Sequence, residues 1–576
     1  MSSASSALIQ TLANNGVEVI FSLSGNQIMP LYDACIDANI RIIHTRHEGA
    51  AVYMAEAYAQ LSGKLGVALV TAGPGLLNAV SALYSAARSE TPILLISGDA
   101  GFGMDGRGGF QELDQCATTA PITKYSARPE NAAAILSDLD HCIATALGGT
   151  PGPTHLALAF ALLSQTTGLD AAKKVNLPPP NAMRQSDLET VITAIEAAKH
   201  PLIITGPQAN RTRQPAANAA LEAALGLPII CLESARGLSD SFYGDLTTAL
   251  KSADLIIHLG KLADYSAGPH ARGLITKGTP IISILTDDQT APMPAHDDHP
   301  ITLFRTGNIP ASMTQLATAI TDQEITACDA DWPAAVPTSI IRRLPWPALA
   351  RRPHHTAVTD QEITVCDADW PAAVTTSITR RLAWQASDQG RHPAALTTQL
   401  QFAINQAASP ILIADGGEFC QWVQAGCIAP RRMINGPSGA IGGGIAYAIG
   451  ASIACPDAEI FLVMGDGTAG FYLGEIHTAV RINANITAII GNDYRWNAEV
   501  QIQIDTYGPD RVYGCDLDEK ADYAAAAIGL GAQGQNVGPD DDLDAALRSA
   551  SATQGPTVLN VLIDGQAAPK FIPMKL

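Results

Sequence analysis

The stretch Val463–Asn497 reads VMGDGTAGFYLGEIHTAVRINANITAIIGNDYRWN. It sets one acid, Asp466, at the end of an apolar run and a polar pair, Asn492–Asp493, at the end of the next. Two carboxylates brought together suit a hard divalent cation, and magnesium completes its six-oxygen shell with the phosphates of a ligand. Gly465 and Gly467 let the backbone approach a ligand closely. A helix opening just after Gly467 would turn its free N–H groups towards an anion. The chemistry implied is a magnesium-bridged diphosphate site.

That chemistry needs elements to hold it. EIFLVMGDG and ITAIIGND read as strands, and the segment between them, GFYLGEIHTAVRINAN, reads as a helix. Strand, helix and strand make a crossover that places both polar ends on one rim of a parallel sheet, where ligands of such sheets collect. The same alternation runs through most of the chain. SALIQTLANNG is an amphipathic helix ending at a glycine, and VEVIFSLSG, RIIHT, LGVALVTAGPG and TPILLISGDA are strands around the helix EGAAVYMAEAYAQLSG. Continuous Val/Ile/Leu runs separated by helices indicate parallel sheets covered on both faces. The expected fold class is α/β, with three doubly wound parallel-sheet domains. The first spans residues 1–170, and a Pro-rich linker, KVNLPPPNAM, follows it. A middle domain at 185–320 uses PLIITGPQA, LPIICLES, ADLIIHLGK and TPIISILTDD as strands. The third domain spans 390–576.

Residues 321–389 break the pattern. TDQEITACDADWPAAVPTSIIRRL from Thr321 is repeated almost unchanged as TDQEITVCDADWPAAVTTSITRRL from Thr359. Two copies are too few for a stacked solenoid, so the expectation is a surface connector without chemistry. His354 and His355 between the copies have no companion ligands and are expected in solvent.

Bulk properties exclude several classes. The formal net charge of −20 argues against nucleic acid as a partner. Ten cysteines without a Cys-x-x-Cys pair form neither a zinc framework nor a disulfide scaffold. No apolar run is long enough for a bilayer, and the N-terminus lacks the basic and apolar regions of a signal peptide. The expected setting is the cytoplasm, without a membrane partner.

The Gly-Asp-Gly to Asn-Asp segment resembles the diphosphate motif of the thiamine diphosphate-dependent enzymes, with Asp493 where that family carries a final Asn. The resemblance implies thiamine diphosphate and Mg2+ as cofactors. It gives Asp466 and Asp493 as side-chain metal ligands and Arg495 as a main-chain carbonyl ligand, with Gly465, Gly467, Thr468 and Trp496 around the cofactor. RHEGAAVYMAEAYA matches the family segment whose glutamate, here Glu48, hydrogen-bonds the aminopyrimidine ring from a dry pocket. TAGPGLLNAVSALYSAARSETPILLISGD supplies a glycine turn, Gly73 and Gly75, near that ring, and in NGPSGAIGGGIAYAIGA the apolar Ile441 props the cofactor into a bent shape. The nearest relatives are similar to acetolactate synthase large subunits, with benzaldehyde lyase and benzoylformate decarboxylase further off. The three domains become pyrimidine-binding, middle and diphosphate-binding. The site is implied to lie between two chains of a homodimer or homotetramer.

The reaction class follows from details. GGFQELDQCATTAPITKYSARP resembles the acetolactate synthase segment with Phe110 near an acceptor, Gln111 on the cofactor-bound intermediate, and a later Lys124. That family also carries a middle-domain arginine beside a flavin. Here the stretch is LGKLADYSAG, and Lys261 cannot reproduce bidentate carboxylate binding. This argues against both pyruvate as acceptor and FAD. Glu499, six residues after Asp493, sits where simple 2-oxo acid decarboxylases carry a proton-transferring glutamate. Asn26 and Gln27 occupy substrate-facing positions as amides that orient a carbonyl or carboxylate. The resemblance favours a decarboxylating carboligase that takes a 2-oxo acid and passes the acyl unit to a proton, aldehyde or ketone. A lyase of 2-hydroxy ketones or 2-hydroxyacyl thioesters is the alternative, followed by a simple decarboxylase and a non-catalytic homologue.

Overall fold

The computed structural model describes residues 3–569 apart from 102, 104, 167–173, 178, 245, 263, 268–273, 290–298, 324, 326, 330–331 and 333–390. His354, His355 and the second repeat lie outside the described residues.

The first sheet comprises β1 (Val19–Ser22), β2 (Arg41–His44), β3 (Gly66–Val70), β4 (Ile93–Asp99), β5 (Tyr125–Ala127) and β6 (Thr154–Ala159), in the order β2-β1-β3-β4-β6-β5. The middle sheet comprises β7 (Pro201–Thr205), β8 (Ile229–Cys231), β9 (Leu255–Leu259), β10 (Ile281–Thr286) and β11 (Ile301–Thr306), in the order β11-β10-β9-β7-β8. The third comprises β12 (Pro410–Ala414), β13 (Arg431–Ile434), β14 (Glu459–Gly465), β15 (Ile486–Asn492), β16 (Gln533–Val537) and β17 (Thr557–Leu562), in the order β13-β12-β14-β15-β17-β16. Every pairing in these sheets is parallel. The first and third sheets therefore share one strand order, and the middle sheet shares it without a sixth strand.

The first and third domains meet along two small-residue helices, Glu48–Ser62 and Gly444–Ala454. Every residue from Glu48 to Ala59 is buried. The Ala/Gly composition permits backbone contact: a Cβ at Gly450 would stand 2.2 Å from the Met54 carbonyl oxygen. One hydrophobic cluster runs through both domains, joining Met54 and Tyr53 to Tyr447 and Ile449.

Two expectations are corrected. The crossover after Gly465 is not one helix opening beyond Gly467. It is a single turn at Asp466–Ala469, a 3-10 turn at Leu473–Glu475 and a short helix at Ile476–Arg481. Gly470 and Gly474 weaken helix propagation there. The connector also does not begin at Thr321. Helix Ile309–Asp322 runs through that position, and Ala327 and Trp332 are buried in the middle-domain core, where the Trp332 indole N–H donates to the Pro201 carbonyl at 2.8 Å.

Candidate active site

Sheet register builds the acidic rim. Gly465 on β14 pairs with Gly491 on β15, so Asp466 and the Asn492–Asp493 pair leave adjacent strands at one level. Asn492 turns inward: its amide donates to Asn560 at 3.1 Å and its oxygen accepts from the Tyr494 N–H at 3.1 Å. Asp493 lies near enough to Asp466 to feel its charge. Burial pushes the Asp466 carboxyl up to about 6, against N–H groups from Gly467, Arg495 and Tyr494. Burial and then the charge of Asp466 push Asp493 up to about 7. Two neighbouring acids on one rim, the first raising the second, with the Arg495 carbonyl close by in sequence, are hard-oxygen donors of the kind Mg2+ takes. Thr468 is buried with its hydroxyl on the Gly465 carbonyl at 3.0 Å. Trp496 lies over Gly467, where a Cβ would come within 2.7 Å of the indole. Only glycine fits between that ring and the turn.

Ile441 is positioned by an acid the sequence analysis did not single out. Asp415, at the end of β12, accepts N–H groups from Gly416 at 2.6 Å and from Gly442 and Gly444, each at 3.0 Å. These bonds fix the loop into helix Gly444–Ala454, and Ile441 stands against Gly416, where its Cγ2 would meet an added Cβ at 2.3 Å. The signal was present in the sequence: an acid at the end of an apolar run, followed by glycines, as at Asp466.

Glu48 opens its helix after β2 and is 8% exposed. His47 caps the helix by accepting the Gly49 N–H at 3.0 Å, and Asn78 donates to Glu48 Oε2 at 3.0 Å. Gly75 flanks the same carboxylate, and Gly73, at φ 57°, lets the Gln111 backbone approach. Gln27 ties this wall together. It accepts from the Thr71 hydroxyl at 2.5 Å and donates to Gln111 Oε1 at 2.6 Å, which engages the Gln111 oxygen and leaves its N–H2 as the uncommitted end among the described residues. Asn26 and Phe110 are exposed, Phe110 to 78%. Glu499 lies exposed in the first turn of helix Asn497–Tyr507.

Within one chain the two motifs touch through the broken crossover. Glu475 Oε1 accepts the N–H groups of Arg46 and His47 at 2.7 and 3.0 Å, and the Tyr472 hydroxyl abuts Gly49. Lys124 faces elsewhere: its ammonium donates to the Gly148 and Thr150 carbonyls and pairs with Asp288. Lys261 is 4% exposed and donates to Asp264 at 2.8 Å, while Arg88 also reaches Asp264. Despite burial, Lys261 and Ser266 hold Asp264 below the usual carboxylate range.

Comparison with known proteins decides the family. The profile described as thiamine pyrophosphate enzyme, N-terminal TPP binding domain, matches residues 2–118, and its C-terminal TPP binding domain counterpart matches residues 415–561. This chain is a thiamine diphosphate-dependent family member. The two matches bracket Glu48 on one side and Asp466 with Asp493 on the other. Among full-length relatives, 2-hydroxyacyl-CoA lyase 2 of Danio rerio is 27% identical, with 97% of this chain and 91% of the relative covered. The acetolactate synthase large subunit of Mycobacterium tuberculosis is 25% identical, with 97% and 96% covered. The fold of this thiamine diphosphate family member is that of the thiamine diphosphate-dependent 4-hydroxybenzoylformate decarboxylase of Rhodococcus jostii RHA1, at a TM-score of 0.77, 19% identity and coverage of 98% and 99%. Among the described residues no helix is long and apolar enough to cross a membrane.

Proposed function

We propose that this family member is a thiamine diphosphate- and Mg2+-dependent carbon–carbon lyase acting on 2-hydroxyacyl carbonyl compounds, 2-hydroxyacyl thioesters foremost. The observation that carries this reading is the state of Lys261. The one cation in the stretch that would hold an acceptor carboxylate is buried and committed to Asp264. The wall beside Glu48 offers neutral amides instead, with the Gln111 oxygen, not its N–H2, taken up by Gln27. Such a wall suits a carbonyl oxygen rather than a carboxylate. Similarity to the 2-hydroxyacyl-CoA lyase 2 proteins supports the same class.

When bound, the cofactor supplies an acidic thiazolium carbon that attacks carbonyls and serves as an electron sink. Asp466, Asp493 and the Arg495 carbonyl would hold the magnesium, and Ile441 would support the cofactor between its two ends. Glu48 holds and moves a proton at the aminopyrimidine ring, and Asn78 keeps its carboxylate oriented. Gln111 donates to the substrate carbonyl oxygen. In the net reaction the bond between the thioester carbonyl carbon and the carbinol carbon breaks. The carbinol becomes an aldehyde, its hydroxyl proton is released, and the carbonyl carbon takes up a proton to leave as a formyl thioester. No external oxidant is needed.

The experiment is incubation of the purified protein with both cofactors and a 2-hydroxyacyl-CoA, following aldehyde and formyl-CoA. Equimolar release that falls at least about 100-fold in Glu48→Gln is expected. Carbon dioxide from 2-oxo acids without aldehyde from the thioester would overturn the lyase reading. It would favour the decarboxylating carboligase, which the exposed Glu499 and similarity to acetolactate synthases support. The working unit is proposed to be a homodimer or a larger homo-oligomer. A flavin-free middle domain is part of the proposal, because the Glu90 carboxylate stands at the crevice beside Gly206 and Gly260, which follow β7 and β9. That carboxylate accepts the Gln208 N–H at 3.0 Å and lies within reach of Gly206. That crevice is the switch point of the middle sheet, where anionic ligands bind in such folds.

A further inference from the structure

The eight residues Ile325–Trp332, ITACDADW, recur as Ile363–Trp370, ITVCDADW, with Ala327 replaced by Val365 as the sole difference. The described residues of the first copy, 325, 327–329 and 332, are docked. The Ile325 N–H donates to the Ile320 carbonyl at 3.1 Å, and the Asp329 N–H donates to the Lys199 carbonyl at 3.0 Å. The Asp329 carboxylate lies 3.8 Å from His200 Nε2. Trp332 is 3% exposed, with its ring centroid 4.5 Å from that of His200 and its indole N–H on Pro201. Ile325 and Cys328 pack against the same core. The groove therefore reads an isoleucine, an aspartate and a tryptophan at fixed spacing, and the second copy supplies all three as Ile363, Asp367 and Trp370.

We propose that this middle-domain groove accepts Ile363–Trp370 in place of Ile325–Trp332, so that the tandem repeat is a second key for one lock. The chain connectivity allows it. After exchange, residues 325–362 close a loop at the end of helix Ile309–Asp322, and the link to helix Pro393–Gln406 shortens from residues 333–391 to residues 371–391. Loop-closure cost grows only with the logarithm of length. Two terms favour the first copy in the intact protein. It closes one loop fewer, and Ala327 is buried where Val365 would have to place two more methyl groups. The exchange consequently becomes dominant when the first copy is damaged.

The test uses the full chain as wild type, Trp332→Ala, Trp370→Ala and the double variant, with urea unfolding and hydrogen–deuterium exchange read by mass spectrometry. Trp370→Ala is expected to leave the urea midpoint unchanged. Trp332→Ala is expected to keep a midpoint above that of the double variant, which falls by roughly 1 M or more. In Trp332→Ala, slow exchange should move from 325–332 to 363–370. A Trp332→Ala midpoint equal to that of the double variant, no transfer of slow exchange, or a Trp332→Ala chain that does not fold would each overturn the proposal.

Discussion

At the residue scale, the acids divide by what faces them. The charge of Asp466 raises the Asp493 carboxyl, and the proposed Mg2+ would relieve that repulsion. Chelation with EDTA is expected to lower the affinity for thiamine diphosphate at least tenfold, and Asp466→Ala to make the remaining affinity insensitive to Mg2+. Titration calorimetry measures both. Glu56 is a different case. It lies within the buried helix Glu48–Ser62, where Glu56 Oε2 accepts from the Tyr447 hydroxyl at 2.9 Å across the domain boundary. Burial pushes its carboxyl from an ordinary 4.5 up to about 7. Between these values the unfolded chain ionises while the folded chain keeps its proton. Glu56 therefore stabilises the fold fully at low pH, and that contribution is lost as pH rises to about 7. Glu56→Gln does not titrate, so its melting temperature relative to wild type is expected to climb between pH 5 and pH 8 and then level off. A pH-independent difference would contradict the assignment. The positions of Asp466, Asp493 and Glu48 were legible in the sequence, because each follows an apolar run at a glycine-flanked strand end. Glu56, Thr71 and Asn78 were not. Their partners come from elements distant in sequence, and no local pattern announces which helix face will meet another domain.

At the element scale, the shared strand order gives the first and third domains matching loops. Glu48 follows β2 as Ile441 follows β13, Gly73 follows β3 as Asp466 follows β14, and Gln111 follows β4 as Asp493 follows β15. One architecture thus presents both of the proposed cofactor-binding sets, one from each domain. The strand–helix alternation that encodes this was readable from Val/Ile/Leu runs and glycine stops. The polar edge strands were harder: β16 is QGQNV and mostly exposed, so it lacks the apolar run that marks a buried strand. The crossover after Gly465 reads as one helix in the sequence because apolar residues continue through it. Its broken form has a use, since Glu475 leaves the 3-10 turn to hold the backbone ahead of Glu48. Glu475→Ala would strand two N–H groups and is expected to cost about 1–3 kcal/mol of stability. It should also weaken cofactor binding, whereas Glu475→Gln, which keeps an acceptor, recovers most of both. Urea unfolding and cofactor titration of the two variants test this.

At the scale of the whole molecule, polar contacts pin the middle domain to its neighbours. Arg213 donates to the Ser89 and Glu90 carbonyls, Lys124 pairs with Asp288, and Arg432 pairs with Glu233 on the opposite side. Arg432 also stacks over Phe242, with its guanidinium carbon 3.6 Å from the ring centroid. These contacts explain why the middle domain was visible as a unit in the sequence while its docking was not: they pair residues more than a hundred positions apart. The helix Pro74–Arg88 carries a further consequence. It buries one face, donates to Glu48 through Asn78, and leaves Leu77 and Tyr84 50% and 43% exposed beside it. In the proposed homo-oligomer a second molecule would cover this wall. Turnover per chain is then not a constant of the protein. It should fall as the solution is diluted below the self-association constant and return when the solution is concentrated again.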